Sequence, residues 1–345
     1  MSTATNTQQM PAAAQLMQMM MGKWISTAIS AAAEFGIADL LAQGDKTAEE
    51  LASATSTHTP SLYRLLRTLA SVGVFAETQP RTFTLTPLAQ CLRSDSPDSL
   101  LAWARFMTMP LSWNAWGQLG HSVKTGQTYP QSAFGVPNPF EYFKTRPEEA
   151  AIFDAAMTDL SRLNAPGVAQ AYDFGRFRQL VDIAGGQGFL LATILKKFPK
   201  LQGVLFDLEA VVNRAGPLLA EHGVSGRCEV VAGNFFQTVP AGADGYLMQH
   251  IIHDWDDERA VAILRNIRKA IQPLGRLVLV EAVISPGNAP SPGKFLDLEM
   301  LLLPGGLERT EAEYRELFAA ADFRLLQVHA TGGAEQVIEA APTER

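Results

Sequence analysis

The densest chemistry in the chain is His250-Ile-Ile-His253-Asp254-Trp255-Asp256-Asp257. An imidazole with a pKa of about 6.5 is a poor match for a phenol of about 10, so it can take that proton only as the oxygen attacks. A carboxylate on the second ring nitrogen would fix the tautomer and stabilise the imidazolium that forms. Two further acids could serve as that carboxylate. Glu281 stands at the end of an apolar run, and Glu308 lies within Gly305-Gly-Leu-Glu-Arg-Thr310. His253 is the candidate base because of the acids that follow it, whereas His250 reads as structural. His-x-x-His with trailing acids also resembles a metal cluster. The pair straddles a strand end, however, and no further His or Cys ligand is evident, so no metal is expected. Asp256 and Asp257 read as acids at a helix N-terminus.

A second group lies earlier. Leu180-Val-Asp-Ile183 runs into Ala184-Gly-Gly-Gln-Gly188, which opens a helix. Glycines let backbone approach a ligand, and a helix start offers free N–H donors. No Lys-Ser/Thr follows, which excludes a triphosphate cradle. Reading Gly186 and Gly188 as a dinucleotide fingerprint puts Leu191 where the third glycine belongs, which keeps the helix from packing as closely as the pyrophosphate-binding version. The next apolar run ends in Asp207, placed to accept both ribose hydroxyls. Together these favour an adenosine ligand without a pyrophosphate, with NAD and a purely structural Asp207 as the alternatives.

These residues need a scaffold. From Gln179 onward strands and helices alternate: strands at Leu180–Ile183, Gly203–Phe206, Cys228–Ala232, Gly245–Gln249 and Gly275–Ala282, with helices at Phe189–Phe198, Arg214–His222 and Glu258–Ile271. A last helix, Thr310–Ala321, precedes strands at Phe323–His329 and Ala334–Ala340. That rhythm means a parallel sheet covered by helices on both faces, with ligands at the carboxyl ends of its strands. Residues 101–172 read as helical and rich in Trp, Phe and Met, among them Trp103, Phe106, Met109, Trp113, Trp116, Phe153 and Met157. Such a stripe is either plain core or a pocket lid.

The first hundred residues read as helices from Leu16 to Leu41 interrupted at Gly36, a capped start at Thr47-Ala-Glu-Glu50, a helix from Ser61 to Val72, and a hairpin of Val74–Glu77 and Thr82–Leu85. This is a winged-helix pattern. Lys23 to Asp95 holds six basic and seven acidic residues, which leaves no cationic face for DNA. The apolar N-terminal helices suit a dimer interface instead.

The whole chain has 345 residues, 47% of them hydrophobic, and a net charge of −7. It is long enough for two domains, and the acidic balance argues against nucleic acid as main partner. Cys91 and Cys228 form neither a disulfide framework nor a metal spacing. With no basic residue before Lys23 and no apolar run of membrane-spanning length, a cytoplasmic protein away from membranes is expected.

Taken together, these residues resemble the caffeate/flavonoid-type S-adenosylmethionine-dependent O-methyltransferase family, in its bacterial antibiotic and secondary-metabolite branch. The likeness rests on Ala33-Glu-Phe-Gly-Ile-Ala-Asp-Leu-Leu41, Asp182–Gly188, Asp207, Gly233-Asn-Phe-Phe236, His253-Asp-Trp255 and Gly305–Thr310. It implies a Rossmann-like, doubly wound α/β methyltransferase domain over 101–345, whose 101–172 segment forms the substrate pocket, and a winged-helix-like dimerisation domain over 1–100. It also implies a homodimer joined through the N-terminal helices, and S-adenosyl-L-methionine giving up its methyl group to leave S-adenosyl-L-homocysteine.

By the same resemblance His253 is the base, flanked by Glu281 and Glu308. Asp182, Gly185, Gly186, Gly188, Asp207, Leu208, Gly233, Asn234, Phe235, Gln249 and Trp255 hold the cofactor. Phe106, Met109, Phe153, Met157, Asp254, Met300 and Leu303 contact a small aromatic acceptor. The chain departs from the family pattern at Ala184 (usually Gly), Asn234 (commonly Asp) and Gln249 (Lys in plant enzymes). Leu301-Leu-Leu303 stands where plant enzymes carry an Asn that grips a substrate hydroxyl, so apolar contacts are expected to hold the acceptor. The alternative readings are a non-methylating relative (hydroxylase, decarboxylase or pericyclase) and a winged-helix ligand-sensing regulator.

Overall fold

A computed structural model describes residues 10–344 of the chain. They divide into two compact units, one up to Met109 and one from Pro110.

In the first unit, the apolar N-terminal segment forms helices Ala12–Met20, Gly22–Glu34 and Ile37–Leu41. The expected break at Gly36 occurs, with φ +63°, and a second falls at Met21–Gly22. Thr47 and Glu50 form a reciprocal cap at the start of Ala48–Thr55, with Thr47 N–H donating to Glu50 Oε2 over 2.7 Å. The hairpin Phe75–Gln79 and Thr82–Leu85 gains a third, two-residue strand, Lys46–Thr47, too short to carry a periodic signal. Leu51, Leu62, Leu66, Leu69, Phe75 and Phe83 close this unit's core. Met17, Met19, Met20 and Trp24 stay exposed.

The second unit begins with five helices, the last of 25 residues (Pro147–Ala171). Seven strands follow: β1 Gln179–Ile183, β2 Gln202–Asp207, β3 Cys228–Ala232, β4 Gly245–Gln249, β5 Arg276–Glu281, β6 Phe323–Ala330 and β7 Gln336–Pro342. Their order is β3-β2-β1-β4-β5-β7-β6. Strands β1–β5 are parallel, as expected, but β7 runs antiparallel to both β5 and β6. The short link between β6 and β7 can make only a hairpin, because a parallel return needs a long crossover. The expected helix from Arg214 to His222 is present as Gly216–Glu221, with Pro217 admitted in its first turn, and an unforeseen one-turn helix, Glu209–Val212, precedes it.

Alternation along the strands fixes which face each residue covers. Val181, Ile183, Val204, Phe206, Tyr246, Met248, Leu277 and Leu279 pack with Ile263, Leu264, Ile267, Tyr314 and Phe318. Leu180, Leu205, Leu247, Val278 and Val280 pack with Leu190, Leu191, Ile194 and Leu195 on the other face. Leu191 packs in the core between its helix and the sheet. It lies over Gly203 of β2, where a Cβ would stand only 3.2 Å from its methyls, so the small residue sits in the strand instead of the helix. The strand order reverses between β1 and β4, which opens a crevice at their carboxyl ends.

Ala184, the first residue of the loop after β1, takes φ +56°. Its N–H donates to the Phe206 carbonyl over 2.7 Å, so the loop is held in that form. A left-handed alanine costs about 1–2 kcal/mol, against about 0.5–1 kcal/mol of extra chain entropy for glycine. Ala184→Gly is therefore expected to leave the protein as stable or up to about 1 kcal/mol more stable in urea unfolding. A clear loss would show that the loop is not strained.

Candidate active site

Every expected acid–base residue ends on the rim formed by β4, β5 and the loop Leu303–Arg309. A single 3-10 turn, Ile252–Asp254, follows β4 and carries His253, which is 6% exposed. Its Nδ1 lies 2.6 Å from Glu308 Oε1 and 3.7 Å from Glu281 Oε2. Its Nε2 faces Asp254 Oδ1 at 3.7 Å, beyond hydrogen-bonding range. So one ring nitrogen is bound to a carboxylate, and the other makes no hydrogen bond among the described residues.

Glu281 also holds backbone, with Oε1 accepting the N–H groups of Ile251 and Ile252 at 3.1 and 2.9 Å. It thereby ties down the turn that carries His253, while Oε2 makes no hydrogen bond. Glu308 is anchored by its own N–H, which donates to Asp297 Oδ1 over 2.9 Å. Burial pushes Glu308 up to about 8 and raises Glu281. Burial also lowers His253 below 6.5, against the pull of Glu281 and Asp254. Nε2 is free to act as a base when Glu308 is ionised and accepts the proton of Nδ1. Asp254 is raised to about 7 by burial.

Among the described residues, His253, Glu281 and Glu308 offer ligand-type atoms within 4.8 Å of one another. The 2.6 Å approach of Nδ1 to Glu308 is a direct hydrogen bond. Two ligands of one tetrahedral ion would stand roughly 3.3 Å apart.

Sequence reasoning assigned no role to Arg309, which is 1% exposed. Its guanidinium donates to the carbonyls of Ile252 and Trp255 at 3.2 and 3.0 Å and to Asp257 Oδ1 at 2.8 Å. One side chain thus clamps both ends of the histidine turn. Gly306 lets the two segments meet: a Cβ there would fall 2.0 Å from the His253 carbonyl, which accepts the Leu307 N–H over 2.9 Å. The only signal for Arg309 was its place beside Glu308 in the Gly305–Thr310 segment. Also missed was Glu299, whose Oε2 accepts from Trp116 Nε1 and whose buried Oε1 has no partner. Burial raises it to about 7.

The crevice between β1 and β4 gathers the expected cofactor residues. Asp182 is 2% exposed, and burial raises it to about 8. Asp207 accepts from the Gly186 and Leu208 N–H groups at 2.9 and 2.6 Å. Its carboxylate thus already braces the glycine loop, a bond the sequence did not suggest. Gly186 has φ +61° and nothing within 4 Å on its side-chain face. Gly185 and Gly188 flank it, and Gly233 follows β3, donating its N–H to the Asp207 carbonyl over 2.9 Å. Asn234 Oδ1 accepts the Phe236 N–H over 2.9 Å, so it shapes its own turn. Gln249 Nε2 and Trp255 Nε1 are buried donors without a partner. Open glycine backbone, unpaired donors and braced carboxylates fit an adenosine-bearing ligand.

An aromatic chain leads away from this crevice. Phe236 packs edge-on against Trp255 at 4.9 Å, Trp255 stacks on Phe140 at 6.1 Å, and Phe140 meets Phe153 at 6.4 Å. Phe235 touches both Phe236 and Trp255. Met157 lies half-buried one turn beyond Phe153, and Met300 and Leu303 are buried beside Glu299. Phe106 and Met109 are buried residues of the first unit, Phe106 lying 5.4 Å from Trp103.

Comparison with known proteins accounts for both parts of the chain. Residues 116–324 match the O-methyltransferase domain and residues 17–95 the O-methyltransferase dimerisation domain. The chain is 43% identical over 332 residues to the phenazine O-methyltransferase PhzM of Lysobacter antibioticus, covering 96% of this chain and 97% of that protein. It is 36% identical to the 8-amino-8-demethylriboflavin N,N-dimethyltransferase of Streptomyces davaonensis, covering 96% of each. Among solved structures it resembles the O-methyltransferase NcsB1 of neocarzinostatin biosynthesis in complex with S-adenosylmethionine and 2-hydroxy-5-methyl naphthoic acid. That likeness has a TM-score of 0.77 and 34% identity over 92% of this chain and 95% of that one. The chain therefore belongs to the S-adenosylmethionine-dependent O-methyltransferase family, in the branch that serves bacterial secondary metabolism.

Proposed function

We propose that this enzyme methylates a hydroxyl group on a small planar aromatic metabolite, with His253 as general base. The observation that carries the reading is the buried imidazole bound through Nδ1 to Glu308 at 2.6 Å, with Nε2 unbonded. A relative acting on a phenazine and a neighbour bound to a hydroxynaphthoic acid support an aromatic acceptor. The relative that methylates an amine makes arylamines the natural control class.

S-adenosylmethionine, when bound, supplies an electrophilic methyl group. The open backbone at Gly186, the donors of Gln249 and Trp255, and the ring of Phe235 would hold it, with Asp182 and Asp207 flanking the loop. His253 Nε2 would accept the phenolic proton as the oxygen attacks. Glu308 would hold the Nδ1 proton and stabilise the imidazolium, and Glu281 and Arg309 would fix the turn that aims the ring. Phe153, Met157, Met300 and Leu303 offer apolar surface for the acceptor. No step needs a metal. The exposed Met17, Met19, Met20 and Trp24 give the dimerisation domain an apolar face for a second copy of the chain.

The defining experiment incubates the purified protein with S-adenosylmethionine and a panel of phenols, hydroxyphenazines, hydroxynaphthoates and arylamines, followed by mass spectrometry. The expected result is one added methylene on hydroxylated acceptors, with S-adenosylhomocysteine formed in equal amount. Cofactor binding without methylation of any member would point to a non-methylating relative. His253→Ala should lower kcat by about 10²–10⁴-fold and leave cofactor affinity unchanged; near-normal turnover would remove His253 from the mechanism. Because burial lowers His253, its neutral form persists down through pH 6.5, and the acid limb of kcat/KM should fall below that value. Excess EDTA should leave turnover unaltered, and a loss restored by a divalent ion would overturn the metal-free mechanism.

A further inference from the structure

His250, which the sequence presents as a structural residue, stands face to face with His253. The rings lie 5.2 Å apart and within 15° of parallel. The His250 backbone adopts φ +53°, a left-handed conformation unusual outside glycine and a frequent companion of functional sites. Its N–H donates to the Val280 carbonyl over 3.1 Å, which pins the residue at the end of β4. On the far side, Nε2 lies 3.3 Å from Glu335 Oε1. Glu335 is 7% exposed, precedes β7, and accepts from Asn164 Nδ2 of the long helix.

We infer that His250 is a positioning residue for the reaction: a fixed imidazolium, paired with Glu335, whose charge keeps the neighbouring His253 in its neutral, proton-accepting form. The inference rests on His253 being the base. Charge must balance within one buried cluster. His253 faces carboxylates from three segments: Glu281 at the end of β5, Glu308 in the loop after Gly306, and Asp254 on its own turn. Burial is the largest influence keeping His253 neutral, and these carboxylates work against it by drawing a proton onto the ring. The cations opposing them are Arg309, which is permanently charged, and His250. Burial works against the charge on His250, but Glu335, Glu281 and Glu308 outweigh it and push its pKa up to about 9. Asn164, the remaining polar neighbour of Glu335, is uncharged.

The test needs no acceptor. Full-length protein labelled at histidine Cε1 and the ring nitrogens is titrated by NMR, with His250 and His253 assigned from the resonances lost in His250→Asn and His253→Gln. Asparagine is chosen because it tolerates the left-handed backbone. In the wild type at neutral pH, His250 should show both nitrogens protonated and His253 only one. In His250→Asn, the His253 midpoint should rise by about one pH unit or more, a tenfold or greater gain in proton affinity. An unmoved or lowered midpoint would overturn the inference, as would a neutral His250 in the wild type. That last measurement is read on the wild-type protein, and His250→Gln supplies the assignment if His250→Asn does not fold. The two proposals fail separately: an unmoved midpoint leaves His253 as the base, whereas normal turnover of His253→Ala removes the base and the catalytic meaning of His250 with it.

Discussion

The hydrogen bond between His253 Nδ1 and Glu308 Oε1 is made between groups that are 6% and 2% exposed. In that setting either charge is unfavourable, so the pair persists only if everything around it is fixed. Glu281 holds two amides of the histidine turn, Arg309 holds carbonyls at both its ends, and the missing side chain of Gly306 lets the Glu308 segment lie against it. Asp297 then anchors Glu308 from the helix before the glycines. These contacts share one result, an imidazole whose tautomer and direction are set before any ligand arrives.

The same pre-positioning governs the cofactor side. Asp207 braces the glycine loop through Gly186, so the two halves of the crevice, the ends of β1 and β2, are tied before a nucleoside could enter. The strand reversal between β1 and β4 then places this loop beside the histidine turn at the end of β4. The aromatic chain from Phe236 through Trp255 and Phe140 to Phe153 joins the proposed cofactor rim and acceptor side by packing. Charge compensation completes the cluster, since carboxylates converging on one imidazole require cations nearby, and Arg309 and His250 are the ones present.

Much of this was legible in the residues. Short apolar runs at Leu180–Ile183, Gly203–Phe206 and Gly245–Gln249, alternating with helices, marked the parallel strands, and the rim followed from that rhythm. His253 stood out through the acids after it, and Glu281 and Glu308 through their places at a strand end and in a glycine turn. The rest was hidden for physical reasons. Arg309 acts on carbonyl groups, which carry no sequence signature. His250 gained its meaning from Glu335, which arrives from far along the chain on an antiparallel hairpin that the alternating pattern did not foretell.

The central claim is geometric, and a crystal structure with S-adenosylhomocysteine and a hydroxylated aromatic acceptor addresses it most directly. The reacting oxygen should lie within about 3.2 Å of His253 Nε2 while Nδ1 stays on Glu308. An acceptor oxygen seated against another residue, or a His253 ring turned so that Nε2 meets a carboxylate, would contradict a histidine base.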